Sequence, residues 1–230
     1  MRYVISDIHG YYDLFVALLE KIGFTDKDEL YICGDVLEKG ADSVKLLSLV
    51  ASMPNVRMIR GNHEESFLKY YTALMRDSED YDFVLERLRG YIHGDGRLLT
   101  WELVDFLEAL PYYVETEDFI CVHAGVPINE NGEIPPLDTV HVSELVYNRR
   151  FAHPEALPLG AKPIFFGHTP LPTKRIAAYA KNEHPTKISD FVKVHLDLST
   201  FTSGVLGCFS VDDCKTYYVT LSEISNEKDR

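Results

Sequence analysis

Short apolar runs alternate with longer amphipathic segments over the first 65 residues of the chain. Three runs, 3–5, 30–33 and 56–59, have the length and apolar character of buried strands. Between them, residues 14–22 and 44–50 place apolar side chains at the spacing of a helix that is buried on one face. Because strands and helices alternate, the pattern predicts an α/β protein built in layers.

The rest of the sequence predicts helices first and strands afterwards. Residues from about 64 to 110 follow a helical pattern, and the runs 119–122 and 163–166 resemble the earlier strands. Further strand candidates lie between residues 192 and 221, where Val211–Cys214 has the composition of a hairpin tip. No internal repeat or linker-like composition divides the sequence. We therefore expect a single domain over residues 1–230.

Composition excludes several classes of protein and several classes of partner. The 230 residues are 46% hydrophobic and 26% charged, which is ordinary for a globular chain and excludes a disordered or fibrous one. The formal net charge is −13 at pH 7. A surface of this sign repels both the nucleic-acid backbone and anionic lipid. We therefore expect neither a nucleic acid polymer nor a membrane as a partner.

The cysteines and the amino-terminal residues predict a cytoplasmic location. The four cysteines form no CxxC pair, which favours reduced thiols. Met1 and Arg2 are followed directly by a strand-like segment, so we expect no signal peptide. No apolar stretch approaches the ~20 residues that a membrane-spanning helix needs.

Polar residues with shared chemistry follow five of the predicted strands. The clusters are Asp7-Ile8-His9, Gly34-Asp35, Gly61–Glu64, His123–Gly125 and Gly167–Thr169. Taken singly, each is also explained by a turn, a helix cap or a hydrogen-bonded histidine. Because ligands collect at the carboxyl ends of strands in α/β sheets, their joint occurrence favours one common site. Three histidines, two aspartates and one asparagine, with His63 set apart, suit two divalent cations such as Mn²⁺, Fe²⁺ or Zn²⁺.

The same clusters carry a resemblance to a known family. Ser6–Gly10, Gly34–Gly40, Gly61–Glu64, His123–Gly125 and Gly167–Thr169 resemble, in this order, the motifs of the metallophosphoesterases of the phosphoprotein phosphatase family. The compact bacterial and bacteriophage serine/threonine phosphatases are the most similar members. Asp7 and Asp35 lie 28 residues apart, and Asp35 and Asn62 lie 27 apart, as the family's α/β units require. The resemblance covers residues 2–211.

The resemblance implies a fold and a metal centre. The fold is a four-layer αββα sandwich with two mixed β-sheets and a dinuclear metal site at the carboxyl ends of the strands. By analogy, Asp7 and His9 bind the first metal and Asp35 bridges the two. The ligands of the second metal are Asn62, His123 and His168. Mn²⁺ is the expected metal, with Fe or Zn as the alternatives.

The resemblance also implies a general acid. His63 matches the histidine that protonates the leaving group, and Glu38 stands where an aspartate orients that histidine. The extra methylene of Glu38 leaves the geometry of this pair open. Lys39 replaces an arginine, and its point charge grips phosphate without the two parallel bonds of a guanidinium.

Two further arginines match phosphate-binding positions of the family. Arg60 precedes the Gly61–Glu64 motif, and Arg149 resembles a later arginine, with Arg150 as a competing choice. In the tail, Leu196–Thr200 resembles a family segment at the rim of the cleft but lacks its glycine.

The function that follows is a phosphomonoester hydrolase in which a metal-bridging hydroxide attacks phosphorus in line. We expect a serine/threonine protein phosphatase, with phosphotyrosine or a small phosphoester as further substrates. The alternative is a symmetric diadenosine tetraphosphate hydrolase, which shares nearly all of these motifs. A catalytically weak phosphoprotein-binding relative is a third hypothesis, supported only by Glu38 and Lys39. Tyr91, Trp101, Tyr112 and Tyr113 could stack on a base, although packing is the favoured role for each.

Overall fold

The computed structural model describes residues 1–75, 81–91, 99–160 and 162–228. These residues form ten strands and eight α-helices. The strands are β1 (Arg2–Ile5), β2 (Glu29–Ile32), β3 (Val56–Met58), β4 (Tyr113–Glu115), β5 (Ile120–Val122), β6 (Ile164–Phe166), β7 (Ala177–Ala180), β8 (Phe191–His195), β9 (Val205–Ser210) and β10 (Thr216–Thr220). The helices are α1 (Tyr12–Ile22), α2 (Ser43–Ser52), α3 (Asn62–Met75), α4 (Tyr81–Tyr91), α5 (Trp101–Ala109), α6 (Val142–Tyr147), α7 (Thr200–Ser203) and α8 (Leu221–Lys228).

Two five-stranded mixed sheets organise the chain. The first has the order β10-β9-β1-β2-β3, and the second has the order β4-β5-β6-β8-β7. In each, three neighbouring strands are parallel: β1, β2 and β3 in the first, and β5, β6 and β8 in the second. The remaining strands pair antiparallel at the edges. This arrangement brings the carboxyl ends of the central parallel strands of each sheet to one edge of that sheet.

The alternation of side chains along the strands divides the apolar residues among three layers. On the first sheet, Ile5 and Ile32 pack with the helices, whereas Val4 and Tyr31 face the second sheet. On the second sheet, residues such as Phe165 point inward to the same intersheet cluster. Successive side chains of a strand point to opposite faces, so each strand serves two layers. The two sheets therefore share the apolar cluster that lies between them.

The four-layer fold is confirmed, with outer layers of unequal thickness. Helices α1, α2, α3 and α5 contribute buried residues to the cluster on the outer face of the first sheet. The outer face of the second sheet is covered instead by the short α6 and by loop residues such as Val126 and Phe151. Long helices thus support the half of the sandwich that carries β1, β2 and β3.

Most predicted elements are present, and the missed ones have weak sequence signals. The tail contains its three predicted strands, and Val211–Cys214 joins β9 to β10 as the predicted hairpin tip. β4 and β7 were not predicted, because both are short edge strands without fully buried side chains. The predicted break in the helical region near residues 90–96 falls largely outside the described residues. All four cysteines are free thiols within the described chain.

No described helix combines the length and the apolar composition that crossing a membrane requires.

Candidate metal centre

The five polar clusters converge at one edge of the two sheets because the loops after the strands turn sharply. Asp7, His9, Asp35 and His168 all have positive φ values, of 52°, 51°, 56° and 67°. Residues other than glycine rarely adopt this backbone conformation, so surrounding contacts must hold it in place. His9 N donates to the carbonyl oxygen of Asp35 at 2.9 Å, which fastens the first loop to the second.

Asp35 lies at the centre of the cluster. Two clusters of metal-binding side-chain types share it, His9-Asp35-His63 and Asp35-His123-His168, with donor atoms within 4.8 Å of one another in each. His63 is the member that the resemblance assigns to proton transfer and not to a metal. Asp35 Oδ2 is 3.8 Å from His9 Nε2, and Asp35 Oδ1 is 3.5 Å from His123 Nε2. A carboxylate with one oxygen toward each group has the geometry of a bridging ligand.

The remaining predicted ligands complete the two groups. Asn62 Oδ1 lies 2.8 Å from His123 Nε2 and 2.7 Å from His168 Nδ1. Asp7 Oδ1 is 4.0 Å from His9 Nε2. The structure thus brings together all six residues that the sequence suggested as metal ligands, with two on one side of the implied bridging residue Asp35 and three on the other.

Two glycines allow the chain to approach these carboxylates closely. A Cβ atom on Gly167 would overlap the Asp7 carboxylate, and one on Gly61 would overlap the Asp35 carboxylate. Any side chain at either position would displace a candidate ligand. The glycines in these two motifs are therefore required by the close contact of backbone with carboxylate.

The electrostatics of the cluster fit divalent cations. Burial, with the neighbouring charges of Asp197 and Asp35, raises the pKa of Asp7 well above its usual value. Burial lowers the pKa of His9 to about 4, and burial with the nearby His123 lowers the pKa of His168 to about 3.

A metal ion binds imidazole in its neutral form, and it offsets the repulsion among carboxylates that lie close together. Within the described chain, the buried Nε2 of His168 also has no hydrogen-bond partner. The donor set fits two divalent metal ions.

His63 and Glu38 form the predicted pair. His63 Nδ1 contacts the Glu38 carboxylate, and His63 Nε2 faces the cluster 3.6 Å from Asp35 Oδ2. Burial alone would lower the pKa of His63, but the charges of Asp35 and Glu38 outweigh it and raise the pKa above its usual value. Glu38 has a positive φ of 68°, and its longer side chain still brings the carboxylate into contact with His63.

Lys39 and Arg149 supply positive charge at the site, whereas Arg60 does not reach it. Lys39 and Arg149 both line the cavity, and Lys39 Nζ lies 2.9 Å from His9 Nε2. Arg150, the competing choice, is absent from the described residues that line it. The expectation for Arg60 needs correction. Its guanidinium donates to Glu65 Oε2, to the Tyr112 hydroxyl and to the carbonyl oxygen of Glu108, at 3.1, 2.9 and 2.6 Å, and lines a different depression.

Glu64 is a supporting residue to which the sequence analysis assigned no role. It is fully buried, and its carboxylate accepts hydrogen bonds from the backbone N–H groups of Asp35, Val36, Leu37 and Gly61 at 2.9–3.1 Å. Three of these donors belong to the loop that carries Asp35 and the fourth is Gly61, so one carboxylate fastens that loop to the start of α3. The signal for this role in the sequence was a glutamate in the first turn of a helix, two residues after the candidate ligand Asn62.

Asp197 lies inside the site rather than at its rim. It is 4% exposed, lines the cavity and influences the pKa of Asp7. Burial raises its own pKa above the usual value. Asp197 follows β8 by two residues, so the rule that identified the other five clusters would also have identified this one.

A cavity of about 190 Å³ lies over the cluster. Its walls combine the candidate ligands with cationic, hydroxyl and apolar side chains. The lining residues are Asp7, His9, Asp35, Lys39, Asn62, His63, Arg149, His168, Pro170, Asp197, Ser199 and Phe201. Trp101, Tyr112 and Tyr113 are absent from the described lining, and the side chain of Tyr91 lies outside the described residues.

Lys193 is a fully buried lysine beneath the loop that follows Arg149. Its Nζ donates to the carbonyl oxygens of Phe151, His153 and Ala156 at 2.8, 2.7 and 2.9 Å. Burial lowers the pKa of Lys193 to about 8. These three bonds close the loop onto β8.

We expect Lys193→Met to lower the free energy of unfolding by about 3 kcal/mol, because three carbonyl oxygens lose their charged donor. Urea unfolding measures this. Lys181→Met is the matched control, since the ammonium of exposed Lys181 donates to one carbonyl oxygen, that of Ser189, and its loss should change stability by less than about 0.5 kcal/mol. Equal effects of the two substitutions would contradict the assignment.

Sequence comparison finds relatives among bacterial hydrolases. The chain is 35% identical over 134 residues to the symmetrical bis(5'-nucleosyl)-tetraphosphatase of Aggregatibacter actinomycetemcomitans, a match that covers 54% of this chain and 44% of that protein. It is 32% identical over 128 residues to the enzyme of the same name from Salmonella paratyphi C, with 54% and 43% covered. The match therefore spans less than half the length of these curated relatives.

Structural comparison shows the same fold over nearly the whole chain. A crystal structure provisionally assigned as a diadenosine tetraphosphatase matches with a TM-score of 0.70, covering 95% of this chain and 92% of that one at 17% identity. A cold-active protein-tyrosine phosphatase from Shewanella matches with a TM-score of 0.54, covering 95% and 80% at 14% identity. At these identities, the likeness shows the fold alone.

A family model agrees with both comparisons. The model of the calcineurin-like phosphoesterases matches residues 2–199, which include every candidate ligand and the His63–Glu38 pair. The resemblance to metallophosphoesterases is confirmed at this level, although the curated relatives named above are tetraphosphatases and not protein phosphatases. The chain belongs to the calcineurin-like phosphoesterase family.

Proposed function

We propose that this protein is a metal-dependent phosphoesterase that hydrolyses dinucleoside tetraphosphates symmetrically, releasing two nucleoside diphosphates. The observation that carries the proposal is the identity of 35% and 32% to symmetrical tetraphosphatases. The alternative of the sequence analysis thereby replaces the serine/threonine protein phosphatase as the leading function. Fold alone does not choose between them, since one fold serves many substrates.

The six candidate ligands would hold two divalent cations on either side of Asp35. When bound, such a pair supplies an activated water and a positive charge for the phosphate oxygens. The chain's own contribution is to fix the ligands before substrate arrives. Glu64 holds the Asp35 loop through three backbone bonds and Gly61 through a fourth, and the glycines described above leave room for the Asp7 and Asp35 carboxylates.

His63 would deliver a proton to the leaving group. Its Nε2 faces the cluster while its Nδ1 contacts Glu38, so the glutamate orients the ring and stabilises the charged form. The raised pKa of His63 favours the protonated state that a general acid needs. A nucleoside diphosphate leaves more readily than an alkoxide, so this proton matters less for a tetraphosphate than for an alkyl phosphate.

Lys39 and Arg149 would bind the phosphate chain. Both line the cavity, and both carry positive charge into a site that also holds three buried carboxylates. Fixed cations aimed at the equatorial oxygens stabilise charge that develops in the transition state.

A protein phosphatase is the second candidate because the acid pair is complete. A histidine held by a carboxylate is of greatest use when the leaving group is the alkoxide of serine or threonine. The contact between Glu38 and His63 supports turnover of such esters and weighs against the third hypothesis, a phosphoprotein-binding relative without activity.

Initial rates on two substrates test the proposal. The Mn²⁺-loaded protein is compared on diadenosine tetraphosphate and on a phosphothreonine peptide, with products separated by ion-exchange chromatography. We expect a kcat/KM advantage for the dinucleotide of at least about tenfold and ADP as its only nucleotide product. An advantage for the peptide, or ATP and AMP among the products, would overturn the proposal.

A further inference from the structure

Two exposed aromatic side chains lie close to the metal centre, one lining the cavity and one in contact with a candidate ligand. Phe201 is 54% exposed and lines the cavity directly. Tyr147 is 46% exposed, and its ring centroid lies 6.3 Å from that of His168, with the two planes at 83°. Scattered exposed aromatics are common on protein surfaces, but these two adjoin a polar site lined by carboxylates and imidazoles.

Phe201 is held in a defined place relative to the metal ligands. It lies on α7, where the N–H groups of Thr202 and Ser203 both donate to the carbonyl oxygen of Ser199 at 2.8 Å. Ser199 N in turn donates to Asp197 Oδ1 at 2.7 Å, and Asp197 lines the same cavity. A short chain of bonds therefore connects the Phe201 backbone to the site.

Tyr147 is fixed close to the cavity by its helix. It is the last residue of α6 and precedes the cavity-lining Arg149 by two positions. Its neighbours Leu145 and Val146 are buried in the core, which fixes the end of the helix. The ring contacts the candidate ligand His168, and the chain continues directly to the arginine that we assign to phosphate.

The size of the cavity determines which part of a substrate can meet these rings. Its volume of about 190 Å³ is small beside the ~300–1,000 Å³ of sites that enclose a drug-sized ligand. Phosphate groups can enter, but a nucleoside attached to them must remain at the mouth. A flat, apolar ring there offers a base the stacking surface that proteins use without regard to base identity.

We propose that Phe201 and Tyr147 form a platform for the nucleobase of the substrate nucleotide, adjacent to the phosphate site of Arg149 and Lys39. The inference rests on the proposed function and specifies where its nucleoside binds. It replaces the aromatic residues that the sequence analysis had considered for stacking. Trp101, for example, is 62% exposed but packs its edge against Tyr71.

Binding measurements test the platform without requiring turnover. Dissociation constants for ADP, inorganic pyrophosphate and phosphotyrosine are measured by titration calorimetry at a fixed Mn²⁺ concentration. We expect Phe201→Ala with Tyr147→Ala to weaken ADP binding by at least about tenfold, since base stacking contributes that order of affinity. Pyrophosphate binding should change by less than about twofold, because it has no base.

Matched controls come from exposed aromatics elsewhere in the chain. Phe83 and Trp101 are 59% and 62% exposed and are absent from the described lining of the cavity. Phe83→Ala and Trp101→Ala should leave all three dissociation constants unchanged. Circular dichroism of each variant establishes that it is folded.

Three outcomes would overturn the platform. Unchanged ADP binding in the double variant removes it, and equal weakening of ADP and pyrophosphate assigns the rings to the phosphate site. Equal weakening of ADP and phosphotyrosine assigns them to an aryl phosphate side chain. If weakening is confined to ADP while diadenosine tetraphosphate is not hydrolysed, the nucleobase site stands and the proposed function fails.

Discussion

His63→Asn is expected to lower kcat on a phosphothreonine peptide by about 10²–10⁴-fold, the range of general acid catalysis. The loss on diadenosine tetraphosphate should be smaller, because its leaving group needs less help from a proton. Metal content should remain unchanged, since His63 is assigned to the proton and not to a cation. Steady-state rates and elemental analysis of the same preparation measure both quantities.

His153→Asn is the matched control for this variant. The His153 side chain is 65% exposed, and its Nδ1 lies 4.0 Å from the carboxylate of Glu155, which is more exposed still. Its replacement should leave both rates within about twofold. Near-wild-type turnover of the peptide by His63→Asn would show that another group supplies the proton, and a loss of metal would assign His63 to the metal centre.

Asp35→Asn should abolish binding of the metal pair. Both ligand groups share Asp35, and the amide retains only one acceptor oxygen and no charge. Because partners one step removed from a metal typically cost 10–100-fold in affinity, loss of the bridge should cost at least about 100-fold. Elemental analysis after gel filtration should show most of the metal gone, with activity reduced in proportion.

The substitution is suited to this test because it preserves the local backbone. His63 N donates to Asp35 Oδ1 at 3.0 Å, and the amide oxygen of asparagine can accept the same bond. Asp118→Asn is the control, since Asp118 is a surface carboxylate paired with Arg2. Two metals per chain in Asp35→Asn would refute the bridging assignment.

The sequence predicted the first half of the fold well because its pattern is local. The strands β1 and β2 have mostly buried side chains and read as apolar runs, and each helix that follows a strand there has one apolar face. The edge strands β4 and β7 were missed because their side chains are only partly buried and give no such signal. Each pairs with the next strand along the chain, but a local pattern of apolar residues does not contain that pairing.

The site residues also divide into those that the sequence predicts and those that it does not. The candidate ligands follow strands, so their convergence could be derived from topology alone. Arg60 shows the limit of that reasoning. It too follows a strand, but Glu65, Tyr112 and the Glu108 carbonyl oxygen turn its guanidinium away from the cavity. The position of the guanidinium is determined by the packing of α3 against α5 and the segment that follows α5. The residues next to Arg60 in the sequence do not indicate this packing.

The division of ligands between the two sheets has a mechanical consequence. Asp7, His9 and Asp35 lie in loops after strands of the first sheet and Asn62 begins α3 after β3, whereas His123 and His168 follow strands of the second sheet. Ions with ligands from both sheets would link the two halves of the sandwich. The metals would then resist the sliding of one sheet over the other, and the intersheet core would depend on the same atoms that meet the substrate.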